Sequence, residues 1–95
     1  MKSVKMEIRF TKTFLKDLAK VQPPKRRKQI EEFVFESLPN FNTLEELGKA
    51  EKMTGYDNYY KIRFGEYRIG ILKTTDHIEL LRVLNRKEIY LVFPN

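Results

Sequence analysis

The sequence predicts an α+β fold: two N-terminal helices packed on an antiparallel sheet of about four strands, closed by a short C-terminal helix or turn. Three observations predict it. Apolar residues recur at helical spacing between Phe14 and Leu38. They recur at every second position from Tyr59 onward. Apart from one short strand at the start, the helices come early and the strands late, a segregation that favours a layer of helices on a sheet over alternating βαβ units. With 95 residues, 41% of them hydrophobic, the chain is read as a single domain over residues 1–95, large enough for one core and too apolar for disorder.

The elements follow in order. Met6, Ile8 and Phe10 alternate with Glu7 and Arg9, the period of a half-buried strand. Thr11 is placed as an N-cap, ahead of a helix whose apolar stripe is Phe14, Leu15, Leu18 and Val21. Pro23 and Pro24 break that stripe, and a proline suits a first helical turn, so a second helix is expected from Pro24. It carries Ile30, Phe33, Val34 and Leu38 on one face and ends at Pro39-Asn40. Residues 40–55 are open to more than one reading. Thr43-Leu44-Glu45-Glu46 matches a capping box and allows a short helical turn, with Gly48 and Gly55 at bends. Tyr59–Phe64 and Tyr67–Leu72 then alternate around Gly65-Glu66, a two-residue loop that suits a type II′ hairpin. A third strand is expected from His77 to Leu84 after a polar turn at Thr74-Thr75-Asp76, and the chain closes with a short helix or turn.

Composition excludes several function classes. There is no cysteine, hence no disulfide, thiolate metal site or cysteine nucleophile; this fits a cytoplasmic protein. The stretch MKSVKMEIRF lacks the apolar run of a signal peptide, and no segment approaches the roughly 18 apolar residues of a membrane span, so no membrane role is expected. His77 is the only histidine and is read as an exposed loop residue. A histidine pair of the ribonuclease kind and a histidine-rich metal site are both impossible, and neither metal nor cofactor is expected.

Charge points to a polyanion. The net charge is +6, with a pI near 9.6. Ten of the 19 Lys and Arg fall within residues 1–28 against two acidic residues there. A basic surface of this kind attracts nucleic acid, although solubility alone would also account for it. The hairpin register is more telling. A two-residue loop pairs Phe64 with Tyr67, Arg63 with Arg68 and Ile62 with Ile69, which puts Lys61, Arg63, Arg68 and Gly70 on one face and the apolar residues on the other. Directly opposed like charges weaken a strand pair. A phosphate site explains them: cations on rigid strands would hold an RNA backbone, and Gly70 would let the ligand approach. A solvated face with splayed side chains is the alternative. Tyr90, four residues after Arg86, shares a helical face with it and could stack on a base or carry a proton if nearby cations lower its pKa; it could equally be a core tyrosine.

Two stretches resemble a known family. Tyr60-Lys61-Ile62-Arg63-Phe64-Gly65-Glu66-Tyr67-Arg68-Ile69-Gly70 resembles the middle strands of RelE/ParE toxins of type II toxin–antitoxin systems. Leu81-Arg82-Val83-Leu84-Asn85-Arg86-Lys87-Glu88-Ile89-Tyr90 resembles their closing strand with its R-x-x-x-Y ending, and Phe93-Pro94 is also typical. The resemblance implies the same α+β layout. In its RelE branch it implies a toxin that enters the ribosomal A site and cleaves mRNA, the 2′-OH attacking the adjacent phosphate to leave a 2′,3′-cyclic phosphate and a 5′-OH. By position, Lys61 and Arg63 match the branch's basic strand pair, with Lys61 as general base or charge stabiliser. Arg68 matches the arginine that stabilises the transition state, Arg86 a second arginine, and Tyr90 the tyrosine that stacks on or orients the base. Asn85 stands where many relatives carry a histidine. A cognate antitoxin is the implied partner, beside the ribosome and mRNA, its acidic or amphipathic segment covering the basic patch, the helical surface, or both. The alternatives are a ParE-like inhibitor of DNA gyrase that cuts no RNA, and a degenerate relative that only binds.

Overall fold

The computed structural model describes residues 7–93. The chain forms strand β1 (Glu7–Phe10), helices α1 (Lys12–Ala19) and α2 (Pro24–Glu32), strands β2 (Glu51–Lys52), β3 (Tyr59–Phe64), β4 (Tyr67–Lys73) and β5 (His77–Asn85), and helix α3 (Arg86–Val92). The expected α+β layout is present with five strands rather than about four, in the order β1-β5-β4-β3-β2. Met6 and the final Pro94-Asn95 lie outside the described residues.

Two differences in the sheet have plain causes. The sheet is mixed, because β1 lies parallel to β5, with Glu7 opposite His77 and Phe10 opposite Leu80. Alternation along a strand is the same for parallel and antiparallel neighbours, so the pattern at Ile8 and Phe10 could not reveal direction. The fifth strand, β2, pairs Glu51 with Lys61 and Lys52 with Tyr60. Both of its residues are exposed, so it carries no apolar alternation to read.

The helices begin as the sequence requires. Thr11 Oγ1 accepts from the Phe14 backbone N–H at 2.9 Å, and Pro24 opens α2. Phe14, Leu18 and Val21 are buried; Leu15, expected in the same stripe, is 45% exposed. The second helical run does not stay α-helical to Leu38. After Glu32 it widens over Phe33–Ser37, where the Leu38 N–H reaches the Phe33 carbonyl, and it then tightens over Leu38–Asn40. Pro39 has no N–H to offer in a regular turn, and its ring would strike the carbonyl four residues back. The widened run still buries Ile30, Val34 and Leu38. Between Leu44 and Leu47 the chain makes a 3₁₀ turn that closes on Gly48, which takes a left-handed φ of 71°. Thr43 makes no side-chain cap there; Glu46 instead accepts from the Asn42 backbone at 2.8 Å.

One continuous apolar cluster joins these layers. Phe14, Ile30 and Val34 from the helices meet Ile62, Ile69, Ile71, Leu80 and Val83 from the sheet. Asp17 is the charged member of α1's inner face. Because β1 covers β5 only as far as Leu80, the Val83 N–H would meet no strand on that side. Asp17 accepts it at 3.2 Å and also accepts from Arg82 Nε at 2.8 Å, so a buried carboxylate is partnered.

Candidate functional site

The site is built on the face of the sheet turned away from α1 and α2. The β3–β4 hairpin has the register read from the sequence, with Phe64 opposite Tyr67, Arg63 opposite Arg68 and Ile62 opposite Ile69. Gly65 has a φ of 58° and Glu66 a negative one, as a type II′ turn needs. Side chains alternate across a strand. With Ile62, Ile69 and Ile71 in the core, Tyr59, Lys61 and Arg63 of β3 and Arg68 and Gly70 of β4 therefore share the other face.

Helix α3 lies across one end of that face. Asn85 starts it, its side chain accepting from the Lys87 N–H at 3.0 Å. Asn85, which the sequence resemblance set at a position where a histidine was expected, thus serves here as a helix cap. Ile89 and Phe93, four residues apart, are buried against the sheet. Tyr90 follows Ile89 by about 100° of helical rotation and so emerges at the helix margin, 52% exposed.

There Lys61 Nζ donates to the Tyr90 hydroxyl at 2.8 Å and stands 5.0 Å from the ring centre. The Lys61 ammonium, with a smaller contribution from the Arg68 guanidinium, holds the Tyr90 phenol below its ordinary value against the opposing effect of burial. Lys61 also faces Glu51 of β2 at 3.8 Å. Arg68 is only 8% exposed; its guanidinium donates to the carbonyls of Gly65 at 2.8 Å and Tyr67 at 3.1 Å. That inward turn resolves the conflict of opposed like charges. Arg68 folds under the loop while Arg63, its cross-strand partner, points to solvent and makes no ion pair among the described residues. Arg86 is tied to the same loop, its N–H reaching the Glu66 carbonyl at 2.7 Å and its Nε lying 3.4 Å from the Glu66 carboxylate. All five residues singled out in the sequence therefore border the hairpin or α3, with Lys61 and Arg68 both near the Tyr90 hydroxyl and Arg86 held off by Glu66.

Two expectations are corrected. Gly70 does not leave an open approach, for the Phe93 ring occupies the space, and a Cβ added at Gly70 would lie 2.8 Å from it. His77 is not an exposed loop residue. It begins β5, keeps a side-chain exposure of 13% beside Glu79, and its Nδ1 lies 3.1 Å from Thr74 Oγ1. Sequence reasoning missed Glu51 and Glu66, the two carboxylates that hold Lys61 and Arg86. Glu51 lies in a strand with no pattern, whereas Glu66, in the loop beside the cations, could have been flagged.

Two helices on one face of a small sheet, with cations and a C-terminal helix on the other, define a toxin of the RelE/ParE type. The chain belongs to that superfamily: residues 8–90 match the family described as ParE toxin of type II toxin–antitoxin system, parDE. Among its relatives, Toxin RelE3 of Methanocaldococcus jannaschii is 48% identical over 90 residues, covering 94% of this chain and all of the relative. Among solved structures, the RelB–RelE antitoxin–toxin complex from Methanococcus jannaschii matches at TM-score 0.74 and 47% identity, over 90% of this chain and 99% of that one. The toxin–antitoxin complex RelBE2 from Mycobacterium tuberculosis matches at TM-score 0.68 and 28% identity, over 92% and 98%.

Proposed function

We propose that this toxin is a ribosome-dependent mRNA endoribonuclease of the RelE kind, cutting by metal-free transesterification. The observation that carries the reading is the Lys61–Tyr90 contact at 2.8 Å with Arg68 close by. Attack of a 2′-OH on the adjacent phosphorus requires a group to take the 2′ proton, positive charge around the phosphorane, and a proton for the departing 5′ oxygen. A phenol held below its ordinary pKa by Lys61 suits the proton traffic and can stack on a base. Lys61 stabilises charge, and Arg68, anchored by two carbonyls, meets the developing phosphorane with little reorganisation. Arg63 and Arg86, both at the rim, would hold the flanking RNA backbone, Arg86 after release from Glu66.

The gyrase-inhibitor reading has less support. The named relative and the two more similar structures are RelE proteins, and a gyrase inhibitor needs no phenol poised on a lysine. The same comparisons support a cognate antitoxin as partner. Leu15 and Phe35, each close to half exposed on the helical side, and the cation row on the other suit an amphipathic, acidic segment. Among the described residues no helix is long and apolar enough to cross a membrane; the proposed place of action is the cytoplasm, where the ribosomes are.

The test is primer extension on an mRNA translated by purified components, with wild type and Arg68→Ala side by side and a gyrase supercoiling assay in parallel. New ends at the A-site codon, dependent on ribosomes and lost in Arg68→Ala, are expected. Intact mRNA together with blocked supercoiling would overturn the reading in favour of gyrase.

A further inference from the structure

The best-defined packing feature near the site is one that the proposed chemistry does not use. Gly70 sits in the middle of β4, opposite Lys61 on β3 and Arg82 on β5, at the rung where the β4–β5 register shifts. A glycine inside a strand interior costs stability unless a group needs the space. Here the Phe93 ring fills it, and its edge meets Tyr59 with ring centres 5.5 Å apart at 83°. The chain leaves α3 at Phe93 with an extended backbone, its N–H still bonded to the Ile89 carbonyl at 2.8 Å. Ile89 within the seven-residue helix and Phe93 just past its end are thus two pegs seated on the sheet, and Tyr90 lies between them in sequence. The slot that takes one peg and the lysine that takes the tyrosine hydroxyl are direct cross-strand neighbours, about 5 Å apart at Cα.

We infer that Phe93, seated in the Gly70 slot, is the positioning residue that sets the Tyr90 hydroxyl on Lys61. A short helix held by one apolar side chain could rock or slide along the sheet; a second peg, in a slot only as wide as a glycine leaves, fixes both its rotation and its height. The consequence for cleavage rests on the reading proposed above, but the placement of Tyr90 does not. Gly70→Ala would push the ring out of the strand, lift the end of α3, and separate Tyr90 from Lys61 without touching either residue.

The experiment uses protein labelled with ¹³C at tyrosine, titrated by NMR, with the Tyr90 signal assigned through Tyr90→Phe. Wild type is expected to lose the Tyr90 proton earlier than Lys61→Met does. Gly70→Ala should move the midpoint up toward the Lys61→Met value and lower ribosome-dependent cleavage by about 10²-fold, the scale of a misplacement near 1 Å. The double variant Gly70→Ala/Phe93→Leu, in which a smaller side chain gives the new methyl group room, should recover most of both effects. Where Gly70→Ala does not fold, Phe93→Ala supplies the same reading, with the midpoint again raised. An unchanged Tyr90 midpoint in folded Gly70→Ala or Phe93→Ala protein overturns the inference. Should wild type cut no mRNA, the nuclease reading falls while the titration still decides the role of Phe93.

Discussion

On one face of the sheet Ile62, Ile69 and Ile71 are fully buried beneath α1 and the α2 segment. On the other, at the alternating positions of the same strands, stand Lys61, Arg63 and Arg68, roofed at one end by the seven residues of α3. The first face is closed, and its residues are fixed by packing. The second is left partly open, and its cations have fewer carboxylates than charge would ask for: Lys61 has Glu51, Arg86 has Glu66, and Arg63 has none among the described residues. A strand cannot shift one side of itself without the other, so the rigidity of the buried face is transmitted to the cation row. Stability and the proposed chemistry thus fall to alternate residues of the same two strands, and substitutions should separate them.

The largest effect belongs to the closed face. Ile69→Ala should lower stability by about 2–5 kcal/mol, the range for opening a cavity in a packed core, as read by urea denaturation. A loss under about 1 kcal/mol would mean that this face is less tightly packed than the structure has it. Next is the margin where α1 meets β5. Asp17→Ala leaves the Val83 N–H and Arg82 without their acceptor and should cost about 2 kcal/mol, while the Lys61–Tyr90 contact, on the opposite face, keeps its titration. A Tyr90 signal that moved with Asp17→Ala would show that the faces are not independent.

The open face should respond in rate and pH dependence more than in stability. Lys61 favours the ionised Tyr90 phenol, so the proton leaves at lower pH than it would from an ordinary tyrosine. Lys61→Met removes that help, the Tyr90 pKa rises, and the ascending limb of the cleavage profile should move to higher pH. A limb that stayed in place, with only its height reduced, would assign the proton transfer elsewhere. The smallest effect is at the helix start. Asn85→Ala should cost about 1 kcal/mol through loss of the α3 cap and Asn85→Asp much less; thermal melts distinguish them. Equal melting temperatures would argue that the Lys87 N–H bond is not needed.

The legibility of these faces in the sequence was uneven, for physical reasons. The hairpin was readable to the residue, because Gly65 permits one turn and strict alternation permits one register. The meeting of Lys61 with Tyr90 was only half readable. Helical spacing tied Tyr90 to Arg86, yet the ion pair with Glu66 draws Arg86 to the loop, and it is Lys61, 29 residues away in sequence, that holds the hydroxyl. Gly70 was correctly seen as space, but its occupant was not, since nothing local says that Phe93 returns to β4. His77 was placed correctly at the start of a strand, but the polar turn beside it suggested exposure, whereas Thr74 and Glu79 enclose its ring. The direction of β1 and the existence of β2 depend on partners distant in sequence, which composition and period do not encode.

That the open face cuts RNA with its own cations and phenol is the proposal on which the rest depends. It is tested most directly by the end groups of mRNA cleaved on ribosomes by the wild-type chain, read by labelling and ligation chemistry. A 2′,3′-cyclic phosphate on one fragment and a 5′-OH on the other are expected, both absent with Arg68→Ala. A 5′-phosphate, or identical cutting by Arg68→Ala, would contradict it.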